Sequence, residues 1–197
     1  MNKVYCFGDG FAHGHIWPEW PQLLEALLPD HQVNVISGVG AGAEYLVTNF
    51  SKILPIDGIV IFQWPIAKRF DKIVEDEYWA QLINQDSVYH FNTYSEDNVL
   101  WWLSSASNSL DIINYHDIYV QPKQAKIRLN VYQNLVNEIL KKSGYPYVFT
   151  STAEQDTYSQ VNMQIRGDEI QPSPLSHWHF LTEYIMPSVG LHSNLSQ

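Results

Sequence analysis

The chain has 197 residues, with 11 Lys plus Arg against 21 Asp plus Glu and a formal net charge of -10. Hydrophobic residues make up 45% and charged residues 16%, a composition that builds one core in one domain and excludes wholesale disorder. The acidic balance argues against a nucleic-acid binder, the single Cys6 against disulfides or a Cys-rich zinc site, and the lack of any apolar run near ~18 residues against a membrane-spanning helix.

In chain order, Lys3 to Phe7 predicts a buried strand, broken at Gly8-Asp9-Gly10. This opening reads as strand and turn rather than as a signal peptide. Pro18 to Leu28 predicts a helix. Trp20, Leu23, Leu24, Leu27 and Leu28 recur at helical spacing, and the proline falls near the first turn, where a missing N–H costs little. Gln32 to Ile36 predicts a second strand, ending in the glycine-rich turn Ser37 to Gly42. Ala43 to Ile53 resumes a helical pattern through Leu46, Val47 and Phe50, and Gly58 to Phe62 is the apolar run of a strand covered on both faces. Short strands alternating with helices imply right-handed crossovers and a parallel sheet. Ligands of such sheets sit at the carboxyl ends of the strands, here Gly8-Asp9-Gly10, Ser37 to Gly42 and Gln63-Trp64.

Residues 64 to 96 mix Trp64, Tyr78, Trp79, Tyr89, Phe91 and Tyr94 with Asp and Glu, which predicts an aromatic-rich insertion over the strand ends. Asn98 to Tyr115 reads as a helix that opens with Trp101-Trp102. Pro122 to Ser143 reads as a longer one, with Val131, Tyr132, Leu135, Val136, Ile139 and Leu140 on one face, Lys141 and Lys142 at its end and Gly144 as its stop. Tyr147 to Thr150 predicts a strand, 152 to 175 a polar loop, Ser176 to Met186 the last helix, and 191 to 197 a loose tail after a single domain over 1 to 190. The aromatic share, 14% with seven Trp, suits either an aromatic-rich core or a surface for a glycan or a protein partner.

Three segments together resemble a known family. Phe7-Gly8-Asp9-Gly10-Phe11-Ala12-His13-Gly14 is similar to the Gly-Asp-Ser block that opens SGNH (GDSL-type) hydrolases. Ser37 to Gly42 falls where that family has its glycine block, and Asp168-Glu169-Ile170-Gln171-Pro172-Ser173 is similar to its Asp-x-x-His-Pro-Ser ending. Their order fits over nearly the whole chain. The resemblance implies a three-layer α/β/α sandwich with a central five-stranded parallel sheet. It also implies ester hydrolysis by a serine nucleophile, with a histidine base oriented by an aspartate and backbone N–H groups plus an Asn holding the oxyanion.

The sequence departs from that pattern at the reacting groups. Gly10 stands at the serine position and has no side chain to attack a carbonyl. Gln171 stands at the histidine position, and a carboxamide does not take a proton near neutral pH. Asp168 is kept without a histidine to orient. Gln63 follows the third strand where an Asn is expected and would be a substitute donor. Gly38 or Gly40 would still offer an oxyanion N–H, with Gly40 preferred. Nucleophile and base act as a unit, so losing both leaves at best the residual catalysis of positioning. The resulting expectation is a pseudoenzyme with vestigial Asp9, Gly10, Gly40, Gln63, Asp168 and Gln171. It would bind a glycan or protein partner, in the cytoplasm or a virus particle, as a possible homo-oligomer or assembly subunit, with no cofactor, nucleic acid or membrane.

A rival constellation is histidine. His13-Gly14-His15 follows the first strand and His177-Trp178-His179 opens the last helix. His13, His15, His177 and Asp168 are the alternative metal set, which would activate water in a hydrolase that needs no serine, with Asp9 as another activator. Against it, His177 and His179 would point ~200° apart on a helix. Trp64, Arg69, His13 and His177 are the candidate ligand-binding residues. Arg69 would either clamp an anionic group or pair with Asp71 or Glu75.

Overall fold

The computed structural model describes residues 2–9, 12, 18–38, 40–67, 69, 71–73, 94–96, 99–103, 121–151, 163–166, 169–172 and 174–191; for 72–73, 94–96, 99–103, 163–166 and 169–172 only the backbone is considered. The chain is α/β. Strand β1 (Asn2–Gly8), helix α1 (Trp20–Leu27), β2 (His31–Ser37), α2 (Ala43–Lys52) and β3 (Ile59–Trp64) follow in the expected alternation. Strands β4 (Asp71–Ile73), β5 (Tyr94–Glu96) and β6 (Val99–Leu103) come next. Helix α3 (Pro122–Ser143) and β7 (Tyr147–Ser151) return to the main sheet, and β8 (Met163–Arg166) and β9 (Glu169–Pro172) precede the last helical segment.

The main sheet has four strands in the order β2-β1-β3-β7, and all of its neighbouring pairs are parallel. The implied fifth strand is absent from it among the described residues. Central position explains burial. In β3, the run Val60 to Trp64 is buried, whereas the edge strand β2 leaves Val35 43% exposed. Side chains alternate between two cores. Tyr5, Phe7, Val60, Phe62 and Trp64 meet α2 and α3 on one face, through Leu46, Phe50, Val136 and Leu140. Val4, Cys6 and Ile61 meet α1 and the last helical segment on the other, through Trp20, Leu24, Phe180, Leu181 and Ile185. Helices therefore cover both faces of the sheet.

Local signals set the helix ends. Before α1, the Glu19 N–H donates to Gln22 Oε1 at 3.1 Å, closing the first turn on itself. Helix α3 begins at Pro122 and ends at Gly144, whose φ of 75° lies in the left-handed region that a residue with a Cβ adopts at a cost. Its buried stripe is Ala125, Val136 and Leu140, with Leu129, Tyr132 and Ile139 partly buried against the same core. Val131 and Leu135 do not belong to that stripe: they are 57% and 49% exposed, in line with Ile127 at 64%. The last helical segment runs α-helix Pro174–His179 (α4), π-helix Phe180–Ile185 and α-helix Met186–Ser188 (α5), one continuous rod in place of the uniform helix expected.

Two expectations are corrected outright. Trp101 and Trp102 do not open a helix. They lie in β6, whose backbone pairs antiparallel with β4 on one side and β5 on the other, giving a separate three-stranded sheet in the order β4-β6-β5. Val-Leu-Trp-Trp-Leu is rich in strand-forming residue types, and two partner strands satisfy its backbone. Residues 163–172 are not a plain loop, because β8 and β9 pair antiparallel as a hairpin. The expected helix over 104–115 and the tail after 191 lie outside the described residues, as does most of the aromatic stretch 74–93.

Candidate functional site

The carboxyl ends of β1 and β3 carry polar residues inside the core, and each has a protein partner. Asp9, the residue after β1, is 1% exposed. Its Oδ2 lies 2.6 Å from Nη1 of Arg69, whose side chain is 27% exposed. The pair spans sixty positions of sequence, and the guanidinium thus holds Asp9, while Arg69 also acts on the Asp71 carboxyl and Glu75 lies outside the described residues. Gln63 at the end of β3 is fully buried, and the indole N–H of Trp20 donates to its Oε1 at 3.2 Å. A Cβ on Gly8 would sit 2.6 Å from Ala12 Cβ and 3.1 Å from the same Gln63 oxygen, so the glycine is what lets the turn after β1 pack onto the end of β3. Ser37, at the end of β2, donates its hydroxyl to the Ala12 carbonyl at 3.1 Å and ties the second strand end to that turn.

The glycine block is tied down as well. The Ala41 N–H donates to the Gly38 carbonyl at 2.9 Å, and Gly40 takes φ of 78°, so the turn needs glycine at position 40. Helix α2 begins just after it. Its first amides, Gly42 and Tyr45, donate to Oδ1 and Oδ2 of Asp71, both at 2.7 Å. A carboxylate there satisfies two N–H groups that have no partner within the helix and lies at the positive end of its dipole. Burial nevertheless pushes the Asp71 carboxyl up to about 7, with the two amides pulling it down, Glu44 pushing it up and Arg69 pulling it down. Glu44 is raised by burial too and pairs with Arg128 of α3 at 2.8 Å. Sequence reasoning passed over Asp71 as a functional group. The only available signal was an acidic residue that α2 lacks at its own N-cap, Gly42.

Trp64 is 1% exposed, stacked on Phe62 at 4.1 Å and edge-on to Phe149 at 5.6 Å. It is a core residue rather than an open binding platform. One side of it reaches a cavity of about 280 Å³ at the carboxyl ends of β3 and β7, lined by Trp64, Gln133, Asn134, Asn137, Phe149, Thr150 and Ser151. Two of these come from register-paired positions, Trp64 and Ser151, and three from α3.

The histidine set is only partly in view. His177, in α4, is 1% exposed, and burial lowers its pKa to about 4, so it is a neutral imidazole at pH 7. His179 points the other way and meets Glu183 at 3.0 Å, as the helical geometry demands. Gly10, His13, His15 and Asp168 lie outside the described residues, as does the side chain of Gln171, whose backbone pairs with Gln164 in the β8–β9 hairpin. Among the described residues, no three His, Cys, Asp or Glu side chains gather as a metal site. Among them, too, no helix is long and apolar enough to cross a membrane. No protein-family model matches the chain, and no curated protein or solved structure is significantly similar to it.

Proposed function

We propose that the chain is a degenerate SGNH-hydrolase-like module that binds a glycan without cleaving esters. The observation that carries this reading is the Asp9–Arg69 ion pair. The first strand delivers its polar residue to the place where the resembling family would start its chemistry, and here that residue is buried and neutralised by a guanidinium at 2.6 Å. Its Oδ2 is thereby occupied, which also speaks against Asp9 as the activator of a water. Gln63, the substitute oxyanion donor, is fully buried, with its carbonyl accepting from the Trp20 indole. With Gly10 and Gln171 at the nucleophile and base positions, no described group is set up for acyl transfer. The parallel sheet, its strand order and the helices on both faces are compatible with the three-layer frame.

The test is turnover of short-chain aryl esters and acetylated sugars by the purified chain, with and without chelator, alongside a glycan array. The reading expects a flat hydrolysis trace and retained array binding. Hydrolysis that survives purification and disappears on changing one residue would overturn it. If chelator also abolishes that activity, the metal set His13, His15, His177 and Asp168 becomes the reading to pursue.

A further inference from the structure

We infer that the cavity between α3 and the carboxyl ends of β3 and β7 is a site for a neutral, polyhydroxylated ligand, a single sugar ring of the glycan; this rests on the binding reading above. Position is the first argument. Parallel sheets take ligands beyond the carboxyl ends of their strands, and this cavity lies there, against Trp64 and Ser151. It is on the α2/α3 face, whereas Gln63 bonds Trp20 on the α1 face, so it is separate from the lapsed reacting centre.

Chemistry is the second argument. The lining holds three carboxamides, Gln133, Asn134 and Asn137, two hydroxyl residues, and no ionisable side chain. A carboxamide both donates and accepts, which matches a hydroxyl group and offers nothing to balance an ion. Among the described residues, the side chains of Gln133 and Asn134 have no hydrogen-bond partner. Asn137 spends its oxygen on the Tyr147 hydroxyl at 2.8 Å, leaving its amide hydrogens to donate. The formal charge of -10 adds a long-range bias against anions. Phe149, only partly buried, supplies the apolar part of the wall beside the core residue Trp64, suited to the C–H face of a pyranose. The volume of about 280 Å³ falls just under the ~300–1,000 Å³ of sites for drug-sized ligands, the scale of one ring rather than a folded partner.

The experiment is a titration of the full chain, followed by the side-chain amide resonances of Gln133 and Asn134, each assigned by its loss in Gln133→Leu and Asn134→Ala. The probes are glucose, galactose and N-acetylglucosamine, with glucuronate and glucosamine as charged counterparts of the same ring. The expected result is a saturable shift of both resonances with at least one neutral sugar, binding of its charged counterpart weaker by about threefold or more, and a further loss of about tenfold in Asn134→Ala, the size of one hydrogen bond. Asn134 is exposed and helical, so alanine there favours the helix and the variant folds. The inference is overturned if no probe moves the two resonances, if charged rings bind as well as neutral ones, or if Asn134→Ala leaves affinity unchanged. Array binding that survives Asn134→Ala would sink this site and leave the binding reading standing, whereas ester turnover would sink the reading itself.

Discussion

Replacing Arg69 by Met keeps most of the side-chain stem and removes the charge that faces Asp9. The carboxylate it leaves is 1% exposed and has lost a guanidinium at 2.6 Å. Opposite charges ~4 Å apart attract by about 4 kcal/mol at an effective dielectric near 20, and removing one partner of a buried pair costs roughly 3–5 kcal/mol because the other charge stays buried. The 27% exposure of Arg69 lets some water reach the carboxylate, which places the expected loss near the lower end, about 3 kcal/mol. For a chain of this length that corresponds to a fall in Tm of roughly 6–12 °C. Asp9→Asn combined with Arg69→Met removes both charges and keeps the shape. The pair should therefore cost less than the Arg69→Met single, with a coupling of about 2 kcal/mol. The assay is urea unfolding followed by tryptophan fluorescence, at low salt and at ~0.5 M salt, since a buried pair is screened far less than a surface one. A single-variant loss below about 0.5 kcal/mol, or strict additivity in the double variant, would show that the pair behaves as a surface contact. The occupied-centre argument would fall with it.

Asp71 and His177 give opposite pH dependences. The Asp71 carboxyl, pushed up to about 7 in the fold from an ordinary value of 3.8, holds its proton more tightly folded than unfolded. Its contribution therefore favours the fold below about pH 4 and is lost as pH rises through about 7; calorimetry from pH 5 to 8 should show a fall in Tm that flattens in Asp71→Asn. His177, lowered to about 4 from 6.5, does the reverse: its contribution is present above about pH 6.5 and is lost as pH falls toward 4, and its imidazole resonance should show no titration above about pH 5. A midpoint near 6.5 would mean the ring is not buried as described. Gly58→Ala should cost more than about 2 kcal/mol, because its Cβ would run into the Lys3 carbonyl oxygen and sit 2.8 Å from Lys3 Cβ, a collision with backbone that no rotamer relieves. A change in unfolding midpoint below about 0.5 kcal/mol would show that β1 and the turn before β3 shift apart easily.

The four strands of the main sheet were legible because each is short and flanked by turn residues, with β3 nearly all apolar, and Gly144 marked a helix end that the left-handed backbone at that position requires. Only two β-α-β crossovers were needed to infer parallel pairing. What periodicity did not resolve is which half of a broadly apolar helix faces the sheet. α3 carries Ile127, Leu129, Val131, Tyr132, Leu135, Val136, Ile139 and Leu140, more apolar surface than two strands cover, so one row is buried and the Ile127-Val131-Leu135 row is not. Val99 to Leu103 failed for a different reason. Short apolar runs fit either period, and the pairing that decides this one comes from Tyr94–Glu96 just before it and from residues 71–73, nearly thirty positions earlier. The carboxamides of the cavity carried no sequence signal, since Gln and Asn on a surface helix are ordinary until strand ends meet them.

Arg69 and Asp71 explain why the segment after β3 matters to the rest of the chain. They are two residues apart at the entry to β4. One reaches back to the end of β1 and the other caps the first turn of α2. The small sheet is thus fastened to the main one at two points that elsewhere in this architecture lie open to ligands. A Cβ on Gly42 would meet the Asp71 carboxylate at 2.8 Å, so the glycine block shelters that clamp and does not present bare amides at its last position. An oxyanion needs free donors, and here the α2 amides of Gly42 and Tyr45 are spent on a carboxylate of the protein's own. Asp9 at the end of β1 and the first amides of α2 are thus spent on residues at the entry to the small sheet. The cavity at the ends of β3 and β7 differs from them: Asn137 there accepts from the Tyr147 hydroxyl, whereas the side chains of Gln133 and Asn134 keep no partner among the described residues.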